Sequence, residues 1–168
     1  GARDLLSRRG LPAGLVALEI GAGTTAEDLA RIDALTASCG VLLPSAAFLR
    51  GERCPACCFY ARTADGEVAG FAGALAQHPK GAPEAGRIFW GMLSTGASWR
   101  GQSVAKILGA LALATVAERR EVRSFETGIR AGNVESARLC EGLGFASSGL
   151  LDLMAIDPVT LSGGRMTK

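Results

Sequence analysis

The sequence predicts an α+β fold with a mixed sheet, on three observations. The stretch "CCFYARTADGEVAGFAGAL" reads as two strands around an Asp65-Gly66 turn. The apolar, aromatic run Arg87 to Thr95 is followed by a long helix with one apolar face. The hairpin interrupts the strand-helix alternation that an all-parallel, doubly wound sheet requires. With 168 residues, 48% apolar and 20% charged, and no repeat or linker, the chain reads as one domain over 1–168. Its core is expected at about 14–156, with a tail at 157–168.

Taken in order, Leu15 to Ile20 has the composition of a buried strand. Thr25 stands three residues before Asp28, a capping-box spacing with Asp in place of Glu, and Leu29, Ile32 and Leu35 continue at helical spacing, so 25–38 is predicted as a helix. Val41 to Arg50 is ambiguous, with Pro44 suggesting the start of a short second helix. The hairpin strands are Cys57 to Thr63 and Glu67 to Leu75. Gln77 to Gly86, carrying Pro79, Gly81 and Pro83, is a loop. After the 87–95 strand, Val104, Ile107, Leu108, Leu111, Ala112, Thr115 and Val116 recur at helical spacing, in a helix starting near Gln102. Val122 to Ile129 is expected as a strand, Asn133 to Gly142 as a short helix, and Phe145 to Ile156 as a returning strand.

Composition narrows the function classes. A net charge of +2 with one histidine, His78, lacks the concentrated basic face of a nucleic-acid binder. No run reaches the ~18–20 apolar residues of a membrane span. "GARDLLSRRG" places Asp4, Arg8 and Arg9 where a signal peptide would be apolar, so a cytoplasmic location with five reduced thiols is expected.

Two glycine-containing strand-to-helix junctions compete for a nucleotide. "LEIGAGT" resembles the run that opens S-adenosylmethionine-dependent methyltransferases. Such a site needs an acidic residue about 20 positions on for the ribose, and "GVLLPSA" has none. Gly21 and Gly23 then read as a turn in which glycine relieves backbone strain. The second junction is "STGASWRGQSVAKILGAL". The first-turn amides of its helix have no partner within the helix, and the dipole adds positive charge, which together suit a pyrophosphate. Arg100 adds a donor fork at the rim, and Gly101 allows close approach to the backbone.

This junction resembles the acetyl-CoA loop of the GCN5-related N-acetyltransferase (GNAT) superfamily, Arg/Gln-x-x-Gly-x-Gly/Ala. The match is Arg100, Gly101, Gln102, Ser103, Val104 and Ala105, with Ser103 where the family has glycine. The amide of Ser103 survives that change, and its hydroxyl can itself bond a phosphate. A second motif, "NVESARLCEGLGF", resembles the family's Asn-x-x-Ser/Ala helix and the Gly-Phe that follows it. Positions 133, 136 and 140 lie near one helical face. The resemblance covers roughly Val68 to Ile156 and is specific in 94–145.

The resemblance implies a three-layer fold whose mostly antiparallel sheet has splayed central strands, 87–95 parting from the strand in "FETGIRAGN". It implies that acetyl-CoA, as cosubstrate, meets Leu93, Ser94 and Thr95 through their backbone, residues 100–105 at the diphosphate, and Asn133 and Ser136 at the pantetheine arm. Asn133 also reads as a plain helix cap. The implied reaction is direct transfer of acetyl to an amine in a ternary complex, the acceptor being a small molecule or a peptide. No metal is implied.

The acid and base are less defined. The family usually has tyrosine where this chain has Cys140, whose thiol either protonates the leaving thiolate or is a small buried apolar residue. Glu126 and His78 are candidate bases without a distinguishing signal, and Phe89 and Trp90 are either pocket walls or core aromatics. "CPACC" carries Cys54, Cys57 and Cys58 but lacks the second ligand pair of a structural zinc site. A catalytically silent acyl-CoA-binding or sensing domain is the alternative to an enzyme, and a methyltransferase stands third. Homodimerisation stays open.

Overall fold

The structure, a computed structural model, describes residues 1–79 and 81–150. The chain runs α1 (Ala2–Arg8), β1 (Val16–Glu19), α2 (Ala26–Ser38), α3 (Ala46–Leu49), β2 (Ala56–Arg62), β3 (Val68–Ala76), β4 (Arg87–Thr95), α4 (Val104–Arg119), β5 (Ser124–Glu126) and α5 (Val134–Leu143), with a 3₁₀ turn at Ala97–Trp99. The five strands lie in sequence order, antiparallel except for the parallel pair β4–β5.

Side-chain alternation along the strands assigns the two faces. Cys58 and Tyr60 of β2 and Phe71 and Leu75 of β3 join Ile32 of α2 and Leu49 of α3 in one cluster. Ala72, Ala74 and Ala76 point the other way, onto α4. Large residues on one face and alanines on the other bring α4 close to the sheet. Trp90 fills the remaining space, fully buried, with its indole N–H donating to the Gly109 carbonyl at 2.9 Å. A Cβ on Gly109 would lie 2.6 Å from the Trp90 ring, so this contact requires glycine. The indole is therefore a core element rather than a pocket wall, while Phe89 is half-buried.

Helix α4 is buried on more than the single face its periodicity predicts, taking in Ala105, Gly109 and Ala110. Gly109 is covered by Trp90 and Leu93 of the sheet, and another part of α4 is covered by α1, a helix with no expectation from the sequence. Its Leu5 and Leu6 pack onto the cluster containing Leu113 and Val116. At the first junction Thr25 caps α2, its hydroxyl accepting from the Asp28 amide at 3.0 Å. The Asp28 carboxylate turns inward to accept from the Tyr60 hydroxyl at 3.2 Å and from Arg62 Nη1 at 3.0 and 3.1 Å. Burial pushes this carboxyl up, but the bonds from Arg62, Thr25 and Tyr60 hold it below the ordinary carboxylate value.

Several boundaries differ from expectation. Neither Gly21 nor Gly23 has a positive φ or a crowded Cβ direction, so no backbone strain is relieved there. Hydrogen bonds close the turn instead, between the Gly21 amide and Thr24 Oγ1 and between the Thr24 amide and the Gly21 carbonyl. The strand expected over 122–129 is regular only at 124–126, because its partner β4 leaves it there. Residues 145–150 hold no regular strand. The remainder of the returning strand, 151–156, and the tail 157–168 lie outside the described residues.

Candidate functional site

The central strands part after three residue pairs. β4 pairs with β5 only from Arg87↔Ser124 to Phe89↔Glu126, yet continues beside β3 as far as Thr95. The outer edge of β4 beyond Phe89 thus has no ladder partner among the described residues. The register against β3 shows the cause. Phe71 and Gly73 oppose Ser94 and Gly91, so β4 carries one extra residue, and Met92 there has φ 59°. A left-handed methionine costs roughly 1–2 kcal/mol and gives a bulge that bends the strand. Met92 then packs on the α2 side with Phe71, and Leu93 on the α4 side near Gly109. Nothing in the letters "GMLST" marks this bulge.

Past Thr95 the Gly96 amide returns to the Ala69 carbonyl at 2.9 Å, and the 3₁₀ turn leads into the loop. Trp99 anchors it, its indole N–H donating to Glu67 at 3.2 Å. Gly101 has φ 75° and Ser103 φ 63°, so two of the three residues before α4 are left-handed. α4 therefore starts at Val104, two residues later than expected, with Ser103 as N-cap residue making no side-chain cap bond. Val104 and Ala105 bury their side chains, which leaves their amides as the groups presented at the helix start. Gln102 turns its amide back to the Ser98 carbonyl at 3.2 Å. Arg100 is exposed and has no carboxylate partner among the described residues.

On the far side, Asn133 caps α5, its Oδ1 accepting from the Ser136 amide at 3.0 Å. Cys140 is 4% exposed and sits in the cluster with Trp90, Ile88 and Leu113. Burial, and secondarily the charge of Glu141, pushes its thiol up, so it is protonated at neutral pH. Phe145 stacks on Trp90 with ring centroids 4.9 Å apart. Glu126, the carboxylate on β5, is held by Arg87 through a two-point fork at 2.6 and 2.8 Å. Those bonds keep it below the ordinary carboxylate value.

Sequence reasoning missed other residues at this corner. Cys39, at the end of α2, places its Sγ 3.7 Å from the Thr95 carbonyl, and Arg130 reaches the Gly40 carbonyl at 3.5 Å. Arg9, beyond α1, lies 3.5 Å from Ser103 Oγ. None has a local sequence signal, since each is brought in by packing of distant elements. A cavity of about 670 Å³ between α1, α4 and β5 involves none of the expected site residues. Among the described residues no three His, Cys, Asp or Glu side chains gather as a metal site, and no helix is long and apolar enough to cross a membrane.

A splayed α+β sheet, a bulged fourth strand and an uncapped helix behind it define the acyltransferase class whose motifs the sequence resembles. The family profile "Acetyltransferase (GNAT) family" matches residues 29–145. The chain belongs to that family, whose members use acetyl-CoA. Solved structures agree in fold. An acetyltransferase of Trypanosoma brucei aligns at 17% identity and TM-score 0.62, covering 85% of this chain and 99% of that one. AAC(6')-Iy in complex with the bisubstrate analogue CoA-S-monomethyl-acetylneamine aligns at 19% and 0.62, covering 85% and 98%. Glucosamine-6-phosphate N-acetyltransferase from Arabidopsis thaliana aligns at 12% and 0.63, covering 85% and 99%. No curated protein matches the sequence.

Proposed function

We propose that the protein moves acetyl from acetyl-CoA to the amine of a small-molecule or peptide acceptor by direct attack in a ternary complex. One observation carries this reading: the edge of β4, without a ladder partner beyond Phe89 among the described residues, leads through the 3₁₀ turn and its loop to the uncapped start of α4. Amides at 101–105, with Arg100, take the diphosphate. Pantetheine lies along Leu93, Ser94 and Thr95 as a surrogate strand, with Asn133 and Ser136 across the gap. Acceptors named with the solved neighbours, a neamine moiety and glucosamine-6-phosphate, favour a small polyfunctional amine.

An ammonium has no lone pair, so the acceptor loses a proton before nitrogen attacks the thioester carbon and the C–S bond breaks. Glu126 is a poor base for this because Arg87 stabilises its charged form. Water takes that role, and the rate rises with pH as the acceptor deprotonates. Amides of 93–95 face the developing oxyanion. The burial of Cys140 among Trp90 and Leu113 favours packing over proton donation. Cys140→Ala should lower stability by about 1 kcal/mol at unchanged maximal rate; a fall in that rate alone would restore the thiol as an acid.

The direct test is acetyl-CoA with a panel of amines and detection of released thiol. Amine-dependent release is expected. Binding of the coenzyme without release for any amine would make the chain a silent acyl-CoA-binding domain. Stabilisation by S-adenosylmethionine but not acetyl-CoA would overturn both.

A further inference from the structure

The N-terminal helix brings a second cation to the corner where the acetyl-CoA reading puts the diphosphate, and the role assigned to that cation rests on the same reading. α1 lies antiparallel along α4. Arg3 pairs with Glu118 at 3.8 Å near the end of α4, and Arg9 reaches Ser103 at its start. Between them Leu5 and Leu6, partly buried, pack against the core cluster, so the course of α1 is set by packing and not by the arginine.

What Arg9 touches sets it apart. Arg3, Arg8, Arg31, Arg62, Arg87 and Arg119 hold carboxylates, Arg50, Arg120, Arg123 and Arg130 hold backbone carbonyls, and the side chains of Arg53, Arg100 and Arg138 bond nothing among the described residues; Arg9 alone of these arginines meets a side-chain hydroxyl. Arg9 meets a neutral hydroxyl at 3.5 Å, the outer limit of a hydrogen bond. One hydroxyl engages one of five guanidinium donors, and no carboxylate pairs with Arg9 among the described residues. That hydroxyl belongs to Ser103, the left-handed residue behind the first amides of α4. A phosphate oxygen is a far stronger acceptor for this fork than the hydroxyl.

We propose that Arg9 is a cofactor-binding residue, adding a second cation beside Arg100 for the diphosphate of the acyl carrier. The diphosphate is assigned rather than the ribose 3′-phosphate because Arg9 is tied to Ser103, within the loop itself. The serine that replaces the family's glycine then has a use: between ligands, its hydroxyl parks the guanidinium beside the site.

Titration calorimetry with CoA and 3′-dephospho-CoA, and turnover with acetyl-pantetheine, which has no phosphate, provide the test on wild type, Arg9→Ala and Arg9→Gln. Both variants should raise Kd about fivefold for CoA and 3′-dephospho-CoA alike. Turnover with acetyl-pantetheine should stay unchanged, as should the melting temperature of Arg9→Gln. Equal affinities in wild type and both variants overturn the proposal, as does a loss confined to CoA, which would move Arg9 to the 3′-phosphate. An equal loss with acetyl-pantetheine would reduce Arg9 to a structural contact. If wild type itself binds no CoA, the acetyl-CoA reading fails with it; if wild type binds and the variants match it, only the role of Arg9 is lost.

Discussion

The starts of α2 and α4 are both strand-to-helix junctions with nearby glycines, and they are finished in opposite ways. At α2 the side chains tie the junction together: Thr25 caps the helix, Thr24 closes the turn, and the Asp28 carboxylate is bound by Tyr60 and Arg62. At α4 the N-cap residue is left-handed and caps nothing, Gln102 turns back to Ser98, and Arg9 and Arg100 pair with no carboxylate among the described residues. A junction that satisfies itself is structural. One that keeps a left-handed cap residue and cations without carboxylate partners suits, on the function proposed above, a ligand of opposite charge.

Four substitutions test that contrast, beginning with the largest effect. Asp28→Ala should cost about 2–3 kcal/mol, low in the range for a broken buried pair because Arg62 remains reachable by water, and lower Tm by roughly 6–10 °C. Acetyl-CoA affinity should not change, and a change in Kd would mean that the two junctions communicate. The pH dependence has its origin in the same group. With the folded-state pKa of Asp28 below its unfolded value, its contribution is complete above about pH 4 and is lost as pH falls through the folded value. The stability gap between wild type and Asp28→Ala should therefore narrow in acid.

Arg100→Glu should leave Tm in place and weaken acetyl-CoA by about tenfold, roughly 1.4 kcal/mol; an unaltered dissociation constant would count against the loop. Ser103→Gly removes a Cβ from a left-handed position and should raise Tm by about 2 °C, the gain reduced by the greater chain entropy of glycine. Gly23→Ala enters open space at an ordinary φ, so changes within about 0.5 kcal/mol and an unchanged Kd are expected. A large loss there would show that the first glycine run does bind a ligand.

Much of the fold was legible because its signals are local. The hairpin followed from alternation around Asp65-Gly66, and α4 from apolar spacing. The cap of α2 followed from Thr25 at the right distance from Asp28. The short β5 was not legible, because Val122 to Ile129 has strand composition throughout and only the departure of β4 ends its pairing. α1 was missed because seven residues give too little periodicity, and its apolar pair acquires meaning only against Leu113. Of the proposed site, Arg100 to Ala105 and Asn133 to Ser136 are suggested by motif, while nothing local points to Met92, Cys39 or Arg9.

The letters alone determined the order of elements from β1 to α5, which junction lacks a ribose-binding carboxylate and which carries a phosphate-loop pattern, since these are matters of spacing along one chain. Tertiary structure decided where β4 leaves β5, that Ser103 and Met92 take left-handed backbones, and that an arginine 94 positions away meets the start of α4. The first goes with the bulge of β4 against β3 at Met92, and the last with the packing of α1 beside α4. Packing between distant segments is a property of volumes meeting in space, which no stretch of neighbouring residues encodes.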